Sequence, residues 1–233
     1  MAHLAILIIF LLYGVSAHSD RLVWQSGFEN GYPGGEWLDL GIGSYSPNGA
    51  MPEGRVSAWT IVDRKSGEPV FTGNYAYKGW IEGATIGNHR AYPVVHVDIP
   101  TPLVNIFHVY LDTDYGPMSL TDWIHFGTWG NFDPEAKTGV WAQHTLAVRD
   151  RKLEFAHVAP FHGEYIGPKD QPEFPMRRWV RLTAYIIYSG STGFVQVWQD
   201  GVPMLRAEVS KLAIHPGTRS TFQFRYEPEG AAG

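Results

Sequence analysis

The chain has 233 residues, 18% of them charged and 14% aromatic, with a formal net charge of −5 at neutral pH. This length supports one sizeable hydrophobic core, and the aromatic content argues against disorder. The acidic balance and the lack of a Lys/Arg run exclude the usual electrostatic footprint of a nucleic-acid-binding protein. With no cysteine in the sequence, a disulfide scaffold and a thiolate zinc site are excluded as well.

The N-terminus carries an apolar run from Leu4 to Val15, followed by small residues up to Ala17. The run is too short to span a bilayer and the small residues suit a cleavage site, so residues 1–17 are predicted to be a secretory signal peptide. An uncleaved anchor or a buried first strand is the alternative. The prediction implies a secreted protein, extracellular or periplasmic, without membrane contact after cleavage and with one domain over residues 18–233.

From Arg21 onward, short apolar and aromatic runs alternate with Gly, Pro, Asn and Ser turns, and helical periodicity is almost absent. Residues 161–175 are rich in Pro and Gly, so we expect a long irregular loop there. About a dozen short strands in one domain indicate an all-β, antiparallel β-sandwich or jelly roll, which we expect to be a monomer. Strands are predicted at residues 22–24, 37–42, 58–62, 70–71, 73–81, 90–97, 104–112, 123–129, 140–149, 153–158, 179–188, 194–199, 202–209 and 220–226.

The stretch from Trp179 to Glu208 is the most informative part of the sequence, because two strand-like runs flank a tight turn at residues 189–193. In its second strand, alternation puts aliphatic residues on one face and aromatic and amide residues on the other. The pattern W-x-R-L-T-x-Y followed by G-x-V-x-V-W-x-D-G resembles the late strands of concanavalin-like jelly rolls. It looks most like secreted polysaccharide lyases of the heparin-lyase, glucuronan-lyase and alginate-lyase kind. The resemblance implies a concanavalin-like jelly roll that acts on or binds a polysaccharide.

Sugar sites combine aromatic faces with a few fixed polar groups, so same-face positions of that composition are candidate site residues. Along one strand, alternation predicts a platform in which Trp123, His125 and Trp129 share a face and Gly127 leaves room for a ring. The alternative is that the tryptophans are core and His125 is a buried, hydrogen-bonded histidine. On the next strand, His144 shares a face with apolar residues and is expected to be structural.

If the faces of several strands coincide, they form one cleft, and the resemblance implies β-elimination on a uronic acid in that cleft. By residue type, Arg90 or Arg181 with Gln143 would neutralise the C5 carboxylate, and His125 or Tyr185 would be the base, with a tyrosine as acid. The R-x-E-x-R and Q-x-H strand motifs of these lyases are absent, and His89-Arg90 and Gln143-His144 are only partial echoes of them. The candidates are Arg90, His125, Gln143 and Tyr185 for catalysis, and Tyr92, His108, Tyr110, Trp123, Trp129, Arg181 and Trp198 for substrate binding.

Two other functions stay open on this sequence: a non-catalytic carbohydrate-binding module or lectin, and a glycoside hydrolase using carboxylates such as Glu164. The E-x-D-x-x-E strand of jelly-roll glucanases is absent, which argues against that class of hydrolase. Cleavage after Ala17 would leave His18 as an N-terminal copper ligand, a third and minor alternative. No cofactor is required, although Asp112 and Asp114 could hold a structural calcium ion at the end of a strand.

Overall fold

The computed structural model describes residues 21–31, 43–81, 89–93, 95, 97, 100–112, 123–130, 143–159, 162–168, 170–189, 192–210, 219–221 and 225–227. The predicted signal peptide and the strand predicted at residues 37–42 lie outside these residues. Within the described ranges, no helix is long and apolar enough to cross a membrane.

The described part of the chain is built from antiparallel β-sheets, which confirms the predicted fold class. Besides the strands, the described residues include a short 3-10 helix at Arg64–Ser66. The strands are β1 (Ser44–Tyr45), β2 (Ser57–Asp63), β3 (Tyr75–Ile81), β4 (His89–Arg90), β5 (Leu103–Tyr110), β6 (Trp123–Gly130), β7 (Gln143–Arg149), β8 (Lys152–Ala159), β9 (His162–Ile166), β10 (Trp179–Ile187), β11 (Thr192–Gln199), β12 (Val202–Ser210), β13 (Arg219–Thr221) and β14 (Arg225–Glu227).

Two large sheets form the sandwich. The four-stranded sheet has the order β12-β11-β10-β5, and the seven-stranded sheet has the order β4-β14-β6-β7-β8-β9 with β13 also paired to β6. A small third sheet, β1-β2-β3, contains the parallel pair β1–β2. In the seven-stranded sheet, β14 lies between β4 and β6, so the two strand segments that carry Arg90 and His125 are joined through it.

One apolar core fills the space between the two large sheets. On β10, Val180, Leu182, Ala184 and Ile186 are each 0% exposed, whereas the residues that alternate with them are half-buried or exposed. The opposing sheet contributes every second residue of β7 and β8, because alternate side chains of a strand point to opposite faces. The cluster between the sheets comprises Val109, Phe126, Trp129, Leu146, Val148, Leu153, Phe155, Phe174, Val180, Leu182, Ala184, Ile186, Tyr188, Val195, Val197 and Leu205.

Two tight hairpins set the strand register, and both lie in the short gaps between consecutive predicted strands. Asp150 and Arg151 have φ values of 46° and 63°, and Asp200 and Gly201 have φ values of 51° and 83°. Positive φ at both central residues is the property of a type I′ turn, whose twist matches that of the flanking strands. The first hairpin pairs Arg149 with Lys152 and thereby sets the register of β7 against β8.

Three strand predictions are wrong. Residues 22–24 and 70–71 form no strand, and among the described residues of the segment predicted at 90–97 only Arg90 belongs to one. Within the predicted loop 161–175, the chain forms β9, because an edge strand tolerates a glycine that a central strand would not. The rest of that loop is anchored by Phe174, whose ring lies in the core and whose N–H donates to the Arg151 carbonyl at 2.6 Å.

A β-bulge in β6 divides the platform predicted on that strand. The register against β7 shifts between His125 and Gly127, so an extra residue is inserted at Phe126. Beyond the bulge, Trp129 lies in the core, and a Cβ on Gly127 would lie 3.2 Å from the ring of Phe107 on the opposite sheet. Gly127 does leave room for a ring, but that ring belongs to the core. The prediction that Trp129 shares a sugar-binding face with His125 is therefore wrong.

Replacing Gly127 by Ala is expected to destabilise the fold, since the added methyl would meet Phe107 at 3.2 Å and Trp129 at 3.7 Å. Overpacking a dense core costs about 1–3 kcal/mol, and urea unfolding should show a loss of that size. The matched control is Gly27→Ala, where the nearest atom is 3.7 Å away, and its free energy of unfolding should stay within about 0.5 kcal/mol of wild type. Adding Phe107→Leu should relieve part of the Gly127→Ala loss, and strictly additive losses would show that the ring contact is not the cause.

Candidate functional site

The outer face of the seven-stranded sheet brings together two of the predicted catalytic residues. Arg90 pairs with Arg225, and Arg225 pairs with His125. The same cross-strand row continues from His125 to Ala147 and then to Glu154. Neighbouring strands lie about 4.8 Å apart, so the backbones of Arg90 and His125 are about 10 Å apart in this row. Since Ile124 and Phe126 pack toward the core, His125 lies on the other side of the sheet.

The centre of this face is closed to solvent. His125 is 1% exposed, and Thr145, Ala147 and Ala156, which surround it on β7 and β8, are each 0% exposed. Because the side chains at these three positions are small, they project only a short way from the sheet around the imidazole. A sugar can therefore reach His125 only if the residues that cover this face move away from it.

An ion pair beside the row was not recognised from the sequence. The Arg149 Nε donates to the Glu154 Oε1 at 2.9 Å, and the Arg149 guanidinium lies 4.4 Å from the centre of the Tyr165 ring. Burial raises the pKa of the Glu154 carboxyl, and the charge and hydrogen bond of Arg149 counteract this increase only in part. The sequence signal for it is the short turn at 150–151, which places Glu154 opposite Ala147 and so in the row of His125.

Three other candidates belong to this sheet or adjoin it. Gln143 begins β7 and pairs through its backbone with Gly130, and Trp123 begins β6 and pairs with Arg149. Tyr92 follows Arg90 by two residues and is buried. Trp123 and Tyr92 are thus each two residues from the row, whereas Gln143 is four residues along β7 from Ala147, about 13 Å away, and the sheet does not bring it to Arg90.

The remaining candidates lie on the opposite surface of the sandwich. His108 pairs with Arg181, and Tyr185 pairs with Gln196 one row away from Trp198. Their strands direct the intervening residues, such as Leu182, into the core. The predicted single cleft is therefore wrong, because the core separates these side chains from His125. Tyr185 and Arg181 cannot act on the same sugar ring as His125. The candidates on this outer face of the four-stranded sheet are His108, Tyr110, Arg181, Tyr185 and Trp198.

His144 is a core residue, in agreement with its predicted structural role. It is buried between the ring of Phe155, with centroids 6.2 Å apart, and the ring of Tyr188, at 5.7 Å. Burial also raises the pKa of the Tyr188 phenol above its ordinary value.

The proposed calcium ligands are only partly described. Asp112 accepts a hydrogen bond from Arg177 at 3.2 Å on the surface, and Asp114 lies outside the described residues. Among the residues that the structure describes, no group of three or more His, Cys, Asp or Glu side chains could hold a metal ion. A calcium ion at this strand end stays a prediction.

Comparisons with known proteins give little beyond this geometry. No protein-family model matches the sequence. No curated protein matches it either. Among solved structures, it is similar to the crystal structure of an endo-β-1,4-glucuronan lyase from the fungus Trichoderma reesei, with 18% identity, a TM-score of 0.49, and coverage of 79% of this chain and 82% of that chain. The residues of the two outer faces are therefore the basis for inferring function.

Replacing Glu154 by Gln should change stability in a pH-dependent way. A folded-state pKa raised above the unfolded value of about 4.3 means that Glu154 contributes stability below that pH, which is lost as pH rises through the folded-state pKa. The free energy of unfolding of Glu154→Gln, relative to wild type, should therefore increase between about pH 4 and about pH 7 in urea titrations. Glu173→Gln is the control, because that carboxylate pairs with Arg151 at 3.3 Å but is exposed. A relative stability that falls over this range would contradict the assignment.

The pKa of His108 depends in part on the positive charge of Arg181. Burial is the larger cause of its lowered value, the charge of Arg181 adds to it, and Asp200 opposes both. Arg181→Gln should raise the pKa of His108 part of the way toward 6.5, as measured by an NMR titration of the imidazole. Arg55→Gln, at an exposed site on another segment, should leave it unchanged. An unchanged value in Arg181→Gln would show that the two side chains do not interact.

Proposed function

We propose that the protein is a polysaccharide lyase that cleaves a uronate-containing glycan by β-elimination at the outer face of the seven-stranded sheet. The observation that supports this proposal is the row in which Arg90, Arg225 and His125 are consecutive cross-strand neighbours. The residue types in that row suit the reaction, because it needs a cation for a carboxylate and a base beside it. The late-strand resemblance to lyases of this kind supports the same class of substrate.

In the proposed reaction, Arg90 binds the C5 carboxylate and withdraws charge from it, which makes the C5 proton more acidic. His125 removes that proton, the C4–O4 bond breaks, and a double bond forms between C4 and C5. The departing O4 takes a proton from a general acid, for which we propose Tyr92, two residues beyond Arg90 in the chain. Gln143 lies three strands from Arg90 and about 13 Å along β7 from the row, so we assign it no step in this reaction. Deprotonated Tyr92 and protonated His125 then exchange protons with solvent to complete the cycle.

The burial of His125 adds a condition to this mechanism. With only 1% of the residue exposed, the base is not accessible to a polymer in the described conformation. We propose that the residues lying over this face move aside when substrate binds. Exclusion of water from the reacting carbons would then strengthen the electrostatic interaction with Arg90.

The other functions remain alternatives with distinct outcomes. A lectin or binding module would bind glycan without forming any product, and a hydrolase would release reducing ends without an unsaturated bond.

We also propose that the protein is secreted after removal of residues 1–17 and acts on its polysaccharide as a monomer.

The decisive experiment follows absorbance near 235 nm while the protein is incubated with alginate, polyglucuronate, heparin and neutral glucans. Wild type should produce an unsaturated product on one uronate polymer. His125→Gly should lose about 10²–10⁴-fold in rate, the contribution of a general base. Added imidazole should restore part of the rate, because it can occupy the space left by the side chain and take the proton.

The controls separate a catalytic from a structural role. Arg55→Gln, at an exposed position outside the face, should keep the wild-type rate, whereas Arg90→Gln should lower it. Circular dichroism and thermal unfolding should show that His125→Gly is folded. Full activity in folded His125→Gly without imidazole would refute the role of this residue. Reducing ends without absorbance would identify a hydrolase instead.

A further inference from the structure

The outer face of the four-stranded sheet presents a continuous surface to solvent that the proposed reaction does not use. Thr183 lies in a row between Ile106 and Trp198, and Tyr185 lies in the next row between Val104 and Gln196. All of these side chains are half-buried or exposed. With strands about 4.8 Å apart, four strands make the surface about 14 Å wide.

Aromatic rings form a fixed platform at one end of this surface. Phe71 stacks on His108 with centroids 3.7 Å apart and contacts Trp179 edge-on at 5.7 Å. Tyr110 also contacts Trp179 edge-on, with ring centroids 5.6 Å apart. Despite its two aromatic contacts, Phe71 is 44% exposed. These contacts fix the rings while leaving aromatic surface open to a ligand.

At the other end, the surface combines rings with cations. Tyr185 packs edge-on against Phe194 at 6.1 Å, and the Arg206 guanidinium lies 5.2 Å from the centre of the Phe194 ring. Arg206 is the cross-strand neighbour of Gln196, so a cation and an amide lie side by side next to Tyr185. Such groups can bind the hydroxyls and carboxylates of a sugar.

Two arginines of this surface have no ion-pair partner in the part of the chain that the structure describes. Within the described residues, neither Arg181 nor Arg206 forms an ion pair, and both are exposed. The nearby Asp200 is already engaged, since it accepts hydrogen bonds from the Arg178 side chain and the Arg181 backbone at 2.8 Å each. One further carboxylate, Glu208, lies opposite Phe194. Two exposed guanidinium groups without an ion pair among the described residues favour an anionic ligand at this surface, although the chain has a net charge of −5.

The mixture of groups favours a glycan over a protein partner. Stable protein interfaces have a desolvated apolar centre, whereas here Thr183, Gln196 and Arg181 interrupt the rings along and across the strands. Rings that stack on sugar faces, alternating with groups that bind hydroxyl and carboxylate oxygens, are the composition of a carbohydrate surface.

We propose that this outer face of the four-stranded sheet is a second glycan-binding surface, which holds a chain of uronate sugars on the side of the sandwich opposite His125. In it, Trp198, Tyr185 and Trp179 provide ring contacts, and Arg181 and Arg206 bind carboxylates. The surface retains the polymer while the other face acts on it. This proposal extends the proposed function but does not depend on it, because binding here needs no base.

The test compares two double variants that each remove two positive charges. Arg181→Gln/Arg206→Gln changes the proposed surface, and Arg21→Gln/Arg55→Gln changes exposed arginines outside the four-stranded sheet. Affinity gel electrophoresis and calorimetry with alginate and polyglucuronate should show at least a tenfold weaker affinity for the first variant. The control should change by less than about twofold, the difference that general charge screening allows at physiological salt. Trp198→Ala should weaken binding as well and leave its salt dependence unchanged, since it removes a ring and no charge.

Several outcomes would overturn the proposal. One is an equal loss of polymer affinity in the two double variants, and another is that wild type binds neither polymer. A third is a dimer, detected by sedimentation, that Trp198→Ala dissociates, because this would identify a protein interface.

The second readout is the lyase rate on a short uronate oligosaccharide, which should be the same in wild type and Arg181→Gln/Arg206→Gln. If wild type produces no 235 nm product but the surface variant loses polymer binding, the lyase proposal fails and this one stands. If His125→Gly loses polymer binding as fully as the surface variant, only one site exists and this proposal fails.

Discussion

The packing of two antiparallel sheets on a single apolar core is the constraint on which the rest of this structure depends. Each strand that contributes Leu182 or Leu146 to that core must direct its intervening residues to the outside. The protein therefore has two outer faces, and side chains that are near neighbours in sequence can lie on opposite surfaces. His108 and Val109 differ by one position, yet the first faces outward and the second packs in the core.

The two outer faces differ in electrostatic character as well as in exposure. On the seven-stranded sheet, Arg149 is paired with Glu154, and the centre of the face around His125 is shielded from water. On the four-stranded sheet, Arg181 and Arg206 are exposed and make no ion pair among the described residues. Charges act more strongly where water is excluded, which suits chemistry, whereas open cations suit the capture of an anionic polymer. The division of labour that we propose follows from this contrast.

Local backbone features, a tight turn and a β-bulge, determine which residues share a face. The type I′ turn at 150–151 sets the register that brings Glu154 to the row of His125. The bulge at Phe126 has the opposite effect, because one extra residue inverts the alternation and turns Trp129 into the core. Gly127 then serves the close approach of Phe107 across the sandwich. A single inserted residue thus converts the second half of a predicted sugar platform into core.

The sequence by itself determined the all-β class, most strand positions, both tight hairpins and the core role of His144, because alternation and turn chemistry are local properties. It did not determine which strands are neighbours, since pairing joins segments far apart in the chain, as β14 joins β4 to β6. Tertiary structure alone decided that Arg90 shares a row with His125 while Tyr185 lies across the core. The physical reason is that a strand pattern specifies two faces but not which face meets the opposing sheet, nor where a bulge exchanges them.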